Sequence, residues 1–208
     1  MNTQQVLKTL KQGNQRFLKA IKNDNALEIP VSTLPSATIQ RPSAVIVSCS
    51  DSRVPPELIF SCGLGEIFVV RVAGNVVTPS QMASIEFACQ TFGTRLVVVL
   101  GHTNCGAIKA CVSAMISNTD KDATPEKNKQ DINNIDTVMQ EIEPAIRATL
   151  DKGENLHSEH FCARVEETNI QIVSKNIASR SLILESMHDL KIVGAQYDLA
   201  SGEVKFYG

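Results

Sequence analysis

Three short runs of aliphatic, mostly β-branched residues punctuate the first half of the chain: Ala44-Val45-Ile46-Val47, Ile67-Phe68-Val69-Val70 and Leu96-Val97-Val98-Val99-Leu100. Each is apolar without interruption, whereas a strand with one wet face would alternate apolar and polar positions. The pattern predicts strands buried on both faces, as in a parallel sheet. Helical spacing surrounds them. Val6, Leu10, Phe17 and Ile21 fall on one face of a predicted helix from Thr3 to Lys22. Helical patterns follow the second and third runs, from about Ser80 to Gln90 and from Gly106 to Ile116. A longer one spans about His157 to Asn176 through Phe161, Val165, Ile170 and Val173. Strands alternating with helices predict an α/β fold: a mostly parallel central sheet flanked by helices.

The remaining segments complete that outline. Lys191 to Asp198 reads as a strand, and Ser201-Gly202 as a hairpin turn into Glu203 to Tyr207. Asn23 to Ser43 carries Pro and Asn without periodicity and reads as an extended connector. Ser117 to Asp136 is polar and charged, the composition of a surface excursion. The expectation is a single domain over residues 1–208, with an N-terminal helical arm and connector in 1–40. An α/β core ending in a strand hairpin fills 41–208.

Composition removes several function classes. With 43% apolar and 20% charged residues the chain is ordinary for a globular protein. A net charge of −2 offers no basic stripe for phosphates, so no nucleic-acid partner is expected. Met1 to Arg16 lacks the apolar core of a secretory signal, and no stretch approaches the length of a membrane span. The expectation is a cytoplasmic protein without a membrane partner. Six cysteines, at 49, 62, 89, 105, 111 and 162, are too sparse for a disulfide scaffold. Four lie in apolar runs and read as small buried hydrophobes.

Cys49 and Cys105 keep different company. The first opens Cys49-Ser50-Asp51-Ser52-Arg53, and the second lies in Gly101-His102-Thr103-Asn104-Cys105-Gly106. Cys49, His102 and Cys105 supply two thiolates and one imidazole. Structural zinc sites close with four protein ligands; catalytic ones keep the fourth position for water. Cys49 falls just past the first predicted strand and His102 just past the third, on the sheet edge where open α/β folds bind ligands. Asp51, as an acceptor-only carboxylate, can take the proton of an attacking hydroxide and aim its lone pair. The planar fork of Arg53 suits a bidentate bond that keeps Asp51 charged and turned correctly. His157, His160 and Cys162 form a looser grouping that reads as surface histidines, and His188 has no company.

Cys-x-Asp-x-Arg followed about fifty residues later by His-x-x-Cys-Gly closely resembles the β-class carbonic anhydrases. Gly13-Asn14-Gln15-Arg16-Phe17, Arg71-Val72-Ala73-Gly74-Asn75 and Gly194-Ala195-Gln196-Tyr197-Asp198 fit that family in order. The resemblance runs from about residue 5 to the end. It implies a swapped N-terminal arm and a homodimer or dimer of dimers. It also implies one Zn2+ per subunit on Cys49, His102 and Cys105, with Asp51 and Arg53 as the catalytic dyad. Gln40 would be the substrate-orienting glutamine; Gly106, Phe68, Ala73 and Phe87 would bind substrate in a pocket partly across the dimer interface.

The implied reaction is reversible hydration of CO2 to bicarbonate and a proton, by attack of zinc-bound hydroxide. Two thiolates donate more charge to zinc than imidazoles do, so activity should favour alkaline pH. If the Asp51–Arg53 pair breaks, Asp51 could swing onto the zinc and close the open position. The subtype with a separate bicarbonate site carries a tryptophan near the first ligand, but this chain has none and Ile46 stands there. Bicarbonate inhibition through a site near Arg71 is therefore not expected. Two other functions share the residues: a zinc hydrolase of CS2 or COS, and a non-catalytic zinc-binding protein on the same scaffold. The second predicts loss of Asp51, Arg53 or the open position, and none is lost. A redox pair of Cys49 and Cys105 would not account for the adjacent histidine and the Asp–Arg pair.

Overall fold

The three apolar runs become neighbouring strands in the computed structural model, which describes residues 2–23, 40–119 and 135–207. They are β1 (Ala44–Ser48), β2 (Ile67–Arg71) and β3 (Leu96–His102), joined by β4 (Lys191–Tyr197) and β5 (Val204–Tyr207). The sheet order is β2-β1-β3-β4-β5, with the first four strands parallel and β5 antiparallel to β4. The expected α/β sheet is thus present.

Continuous apolarity has the predicted cause. Ala44, Ile46, Leu96, Val98 and Leu100 enter one buried cluster, while Val45, Val47, Val97 and Val99 enter another on the opposite face. Helix α1 (Thr3–Lys22) and the short α2 (Pro56–Ile59) cover the first face through Val6, Leu10 and Ile59. The second face is covered by α3 (Pro79–Thr91), α6 (Phe161–Ser179) and the short α7 (Leu182–Glu185). A third apolar cluster joins α4 (Gly106–Thr119), α5 (Ile135–Asp151) and α6. It includes Cys49, Val76, Cys105, Ile108, Ile142 and Phe161.

Several boundaries differ from expectation. The polar excursion assigned to Ser117–Asp136 is helical at both margins, since α4 continues through Thr119 and α5 starts at Ile135. Residues 120–134 lie outside the described residues. The long helix starts at Phe161 rather than near His157, because Asn155 and Ser158 organise a polar turn first: His157 N–H donates to Asn155 Oδ1 and Ser158 N–H to Asn155 O. The connector predicted for Asn23–Ser43 also falls largely outside the described residues.

Helix α1 packs against α2 and the terminal hairpin. A Cβ at Gly13 would lie 1.8 Å from the Phe60 carbonyl oxygen, so only glycine permits this approach. Asn14, buried beside it, donates to Ile59 O at 3.3 Å and Gly202 O at 3.0 Å, and accepts from Val204 N–H at 3.0 Å. The Gly-Asn-x-Arg-Phe segment thus ties α1 to α2 and to the terminal hairpin.

Candidate metal centre

The topology fixes where chemistry can gather. From β1 the chain runs outward to β2, then returns to place β3 on the other side of β1. That reversal opens a crevice at the carboxyl ends of β1 and β3, the general ligand site of such sheets. Cys49 follows β1 directly, His102 is the last residue of β3, and Cys105 precedes the first residue of α4. The ligand atoms of these three residues all lie within 4.8 Å of one another, and all three residues are buried. Among the described residues this is the one His, Cys, Asp or Glu grouping able to hold a metal ion. His157 and His160 are exposed, as expected of surface residues.

Local backbone geometry makes the turn after β3. Asn104 takes a left-handed φ of 58°, which Asn tolerates better than most residues, and so reverses the chain between His102 and Cys105. His102 Nδ1 lies 2.9 Å from the Thr103 carbonyl oxygen. A carbonyl only accepts, so Nδ1 carries the proton and Nε2 presents a lone pair. That Nε2 is buried with no hydrogen-bond partner. An orphaned imidazole nitrogen facing two sulfurs is costly without a cation and natural with one.

The sulfurs carry the same message. Cys49 Sγ accepts the Gly74 N–H at 3.3 Å, from a turn at Ala73–Asn75 that follows β2. The hydrogen bond from Cys105 lowers the Cys49 thiol to about 4 against the effect of burial, with the backbone amides of Asp51 and Gly74 assisting. Cys105 is pushed up, chiefly by the proton it donates to Cys49 and then by burial. The pair shares one proton, which a divalent cation would displace. The donor set fits zinc.

Cys62, Cys89 and Cys111 behave differently: burial pushes their thiols to about 12, 11 and 11. They are the small core residues expected. Cys162 is only half-buried, because it sits in the first turn of α6 near the surface.

Asp51 and Arg53 pair as the spacing suggested. Arg53 Nε donates to Asp51 Oδ1 at 2.9 Å and Nη2 to Oδ2 at 2.7 Å, while the Arg53 backbone N–H also reaches Oδ1 at 2.9 Å. The Arg53 guanidinium holds the Asp51 carboxyl well below the usual carboxylate range, over the opposing effect of burial. Asp51 Oδ2 lies 4.0 Å from His102 Nε2, so the carboxylate is beside the ligand group and turned to Arg53. Arg71 secures this loop from below: its Nε donates to Cys49 O at 2.9 Å and its Nη2 to Asp51 O at 2.6 Å.

Other expected site residues are placed less centrally. Ala73 adjoins Gly74 in the turn that touches Cys49, and Gly106 opens α4 next to Cys105. Phe68 and Phe87 come together, ring centroids 6.3 Å apart, with Phe92 completing an aromatic group. Gln40 is exposed and precedes β1, near Pro42, whose carbonyl accepts from Thr94 Oγ1 at the amino end of β3. All of β1 separates Gln40 from Cys49, so a single chain does not bring it to the ligands.

Two residues at the site were not anticipated. Glu166 Oε1 accepts the Cys105 N–H at 2.8 Å, and Asn169 Nδ2 donates to Gly74 O at 2.9 Å. Both are buried on α6. Burial raises the Glu166 carboxyl, with the Cys105 amide opposing. The signal was present in the sequence as polar residues inside the apolar stripe Val165, Ile170 and Val173.

A mostly parallel open sheet with two thiols and one imidazole at its switch-point crevice defines an α/β protein with a three-residue candidate metal centre. The family assignment follows from comparison with known proteins. The family model "Carbonic anhydrase" matches residues 44–204. A carbonic anhydrase of Mycolicibacterium smegmatis is 35% identical over 200 residues, 95% of this chain and 90% of that protein. Carbonic anhydrase 2 of Mycobacterium tuberculosis is 33% identical over 94% of this chain and 88% of its own length. Among solved structures, the β-carbonic anhydrase CcaA superposes with a TM-score of 0.70 at 27% identity, covering 83% of this chain and 82% of that one. One of the two tetrameric β-carbonic anhydrases of Sordaria macrospora shares the fold at a TM-score of 0.67 and 21% identity, over 83% of each chain. The chain belongs to the β-class carbonic anhydrases and is an enzyme of that family, a lyase.

Proposed function

We propose that the enzyme hydrates CO2 reversibly to bicarbonate and a proton, with zinc held by Cys49, His102 and Cys105. The observation that carries this reading is the orphaned, buried Nε2 of His102 facing two cysteine sulfurs within 4.8 Å. Zinc bound there supplies a Lewis acid that makes hydroxide available from water near neutral pH.

The chain's own groups do the rest. Asp51, kept ionised by Arg53, only accepts hydrogen bonds, so it would accept one from the attacking oxygen and turn that oxygen's lone pair toward the carbon. Arg53 holds that carboxylate at both oxygens, and Arg71 fixes the backbone that carries it. The apolar cluster behind Cys49 and Cys105 excludes water from the rear of the site.

The same reading includes a homodimer or dimer of dimers. Gln40 cannot serve the site of its own chain, and Phe87 keeps half of its surface exposed beside Phe68. A second copy would supply the missing wall and glutamine.

Stopped-flow CO2 hydration across pH, with zinc content measured in parallel, tests the proposal on wild type and Asp51→Ala. Turnover that tracks zinc, rises toward alkaline pH and falls about 100-fold or more in a zinc-loaded mutant is expected. A zinc-loaded wild type inactive at every pH would sink it.

A further inference from the structure

Helix α6 reaches the Cys105 turn and the Ala73–Asn75 turn that touches Cys49 with two buried polar side chains one turn apart. Glu166 Oε1 takes the N–H of Cys105 itself at 2.8 Å. Asn169 Nδ2 takes the carbonyl of Gly74 at 2.9 Å, and Gly74 N–H points at Cys49 Sγ at 3.3 Å. Since the Gly74 oxygen only accepts, the orientation of the Asn169 amide is fixed. Positions three apart on a helix share a face, so one rigid element grips the two loops at once.

Close packing makes this grip possible. A Cβ at Gly101 would lie 2.5 Å from Ile170 Cγ1, and one at Gly194 would lie 2.8 Å from Ile170 Cγ2. Two glycines in adjacent strands therefore admit Ile170 and let α6 pack closely on β3 and β4. Glu166 and Asn169 are both nearly inaccessible, at 3% and 1% exposed. A buried carboxylate and a buried amide cost stability unless hydrogen-bonded, and each here meets the backbone of a turn at the site.

We propose that Glu166 and Asn169 are positioning residues that together set the separation of Cys49 and Cys105, and so the fit of the metal. Neither touches the reacting atoms. The inference rests on the zinc reading given above and adds how the ligand geometry is held. Outer partners of this kind govern metal retention as well as orientation.

The test is zinc affinity, measured on the full-length protein by competition with a chromophoric chelator, together with the thiolate-to-metal charge-transfer band after Co2+ substitution. Glu166→Leu and Asn169→Asp should each weaken zinc about 10- to 100-fold and alter the cobalt band. Asn169→Asp is nearly isosteric but turns the donor into an acceptor facing a carbonyl. Glu166→Gln keeps a carbonyl oxygen for the Cys105 N–H and should remain close to wild type. Thr168→Val breaks the buried bond from Thr149, 3.2 Å long, on the same helix without touching either loop. It should lower the melting temperature while leaving zinc affinity intact.

Should Glu166→Leu fail to fold, Glu166→Gln against Asn169→Asp decides the matter. Glu166→Gln as damaging as Asn169→Asp, or Thr168→Val equally damaging to zinc affinity, overturns the brace. So do variants that all bind zinc and cobalt as wild type does. A wild type that takes up no zinc overturns the underlying reading and the brace with it; a zinc-loaded wild type with insensitive variants overturns the brace alone.

Discussion

The two loops that build the site are made in opposite ways. The turn from His102 to Cys105 is sealed around its two ligand residues: the His102 side chain is wholly buried with Nδ1 on the Thr103 carbonyl, and buried Cys105 donates its N–H to Glu166. The loop from Cys49 to Arg53 starts buried and ends in water, with 56% of the Arg53 side chain exposed. One loop carries two of the proposed ligands; the other carries a single one and then presents a charged pair at the solvent boundary. Metal binding needs rigidity, while proton handling needs a carboxylate at the solvent boundary. The chain separates these demands into two loops on either side of one crevice rather than compromising within one loop.

Substitution in the sealed turn should have the largest effect. Cys105→Ala removes a ligand and leaves His102 Nε2 without its cation, so zinc should be lost on purification. The melting temperature should fall by about 5 to 10 °C, the shift for losing ligand-linked stability of about 2.7 kcal/mol in a domain of this size. Calorimetry with metal analysis checks both. A variant that retains stoichiometric zinc would break the assignment of that turn as the ligand-fixing one.

Arg53→Leu, in the open loop, should do the reverse: full zinc content with turnover lower by about 100-fold, because Asp51 loses its orientation. Its stability signature is pH-dependent. The folded Asp51 carboxyl titrates well below its unfolded value of about 3.9, so the pair stabilises above that pH and the contribution fades as pH falls toward the folded value. The difference in urea midpoint between wild type and Arg53→Leu should be greatest near neutrality and shrink below about pH 4. A difference that grows on acidification would reverse the sign and sink the account.

How much of this was legible before the fold was known follows from which physics is local. Uninterrupted runs such as Leu96–Leu100 announce strands buried on both faces, and residues just beyond such strands announce the ligand edge. Cys49, Asp51, Arg53, His102 and Cys105 are close enough in sequence to strand ends that pattern alone gathers them. Helix α5 was not read, because Pro144 and its acidic neighbours interrupt the helical pattern while Ile142, Ala145 and Ile146 still face the core. Proline lacks the N–H for a helix interior, so tertiary burial has overridden local preference here. Glu166 and Asn169 were missed for another reason: their partners are the backbone of Cys105 and Gly74, and sequence does not show which loop a distant helix will meet. The same limit applies to Gln40, whose exposed place at the amino end of β1 only the fold reveals.

The smallest effect should separate the loops by thiol chemistry. With zinc bound, brief iodoacetamide treatment should label mainly Cys162, the one half-buried thiol among otherwise buried cysteines. After zinc is removed by a chelator, Cys49 should label next, because its thiol, lowered to about 4, is a thiolate at neutral pH. Cys105 should lag behind it, since it holds the shared proton and sits in the sealed turn. Cys62, Cys89 and Cys111 should stay unlabelled, their thiols pushed to about 12, 11 and 11 by burial. Peptide mapping by mass spectrometry reads the order directly. Equal labelling of Cys49 and Cys105 on chelation would mean that the apparent seal of the second turn depends on the metal, and that the two loops differ only while zinc holds them.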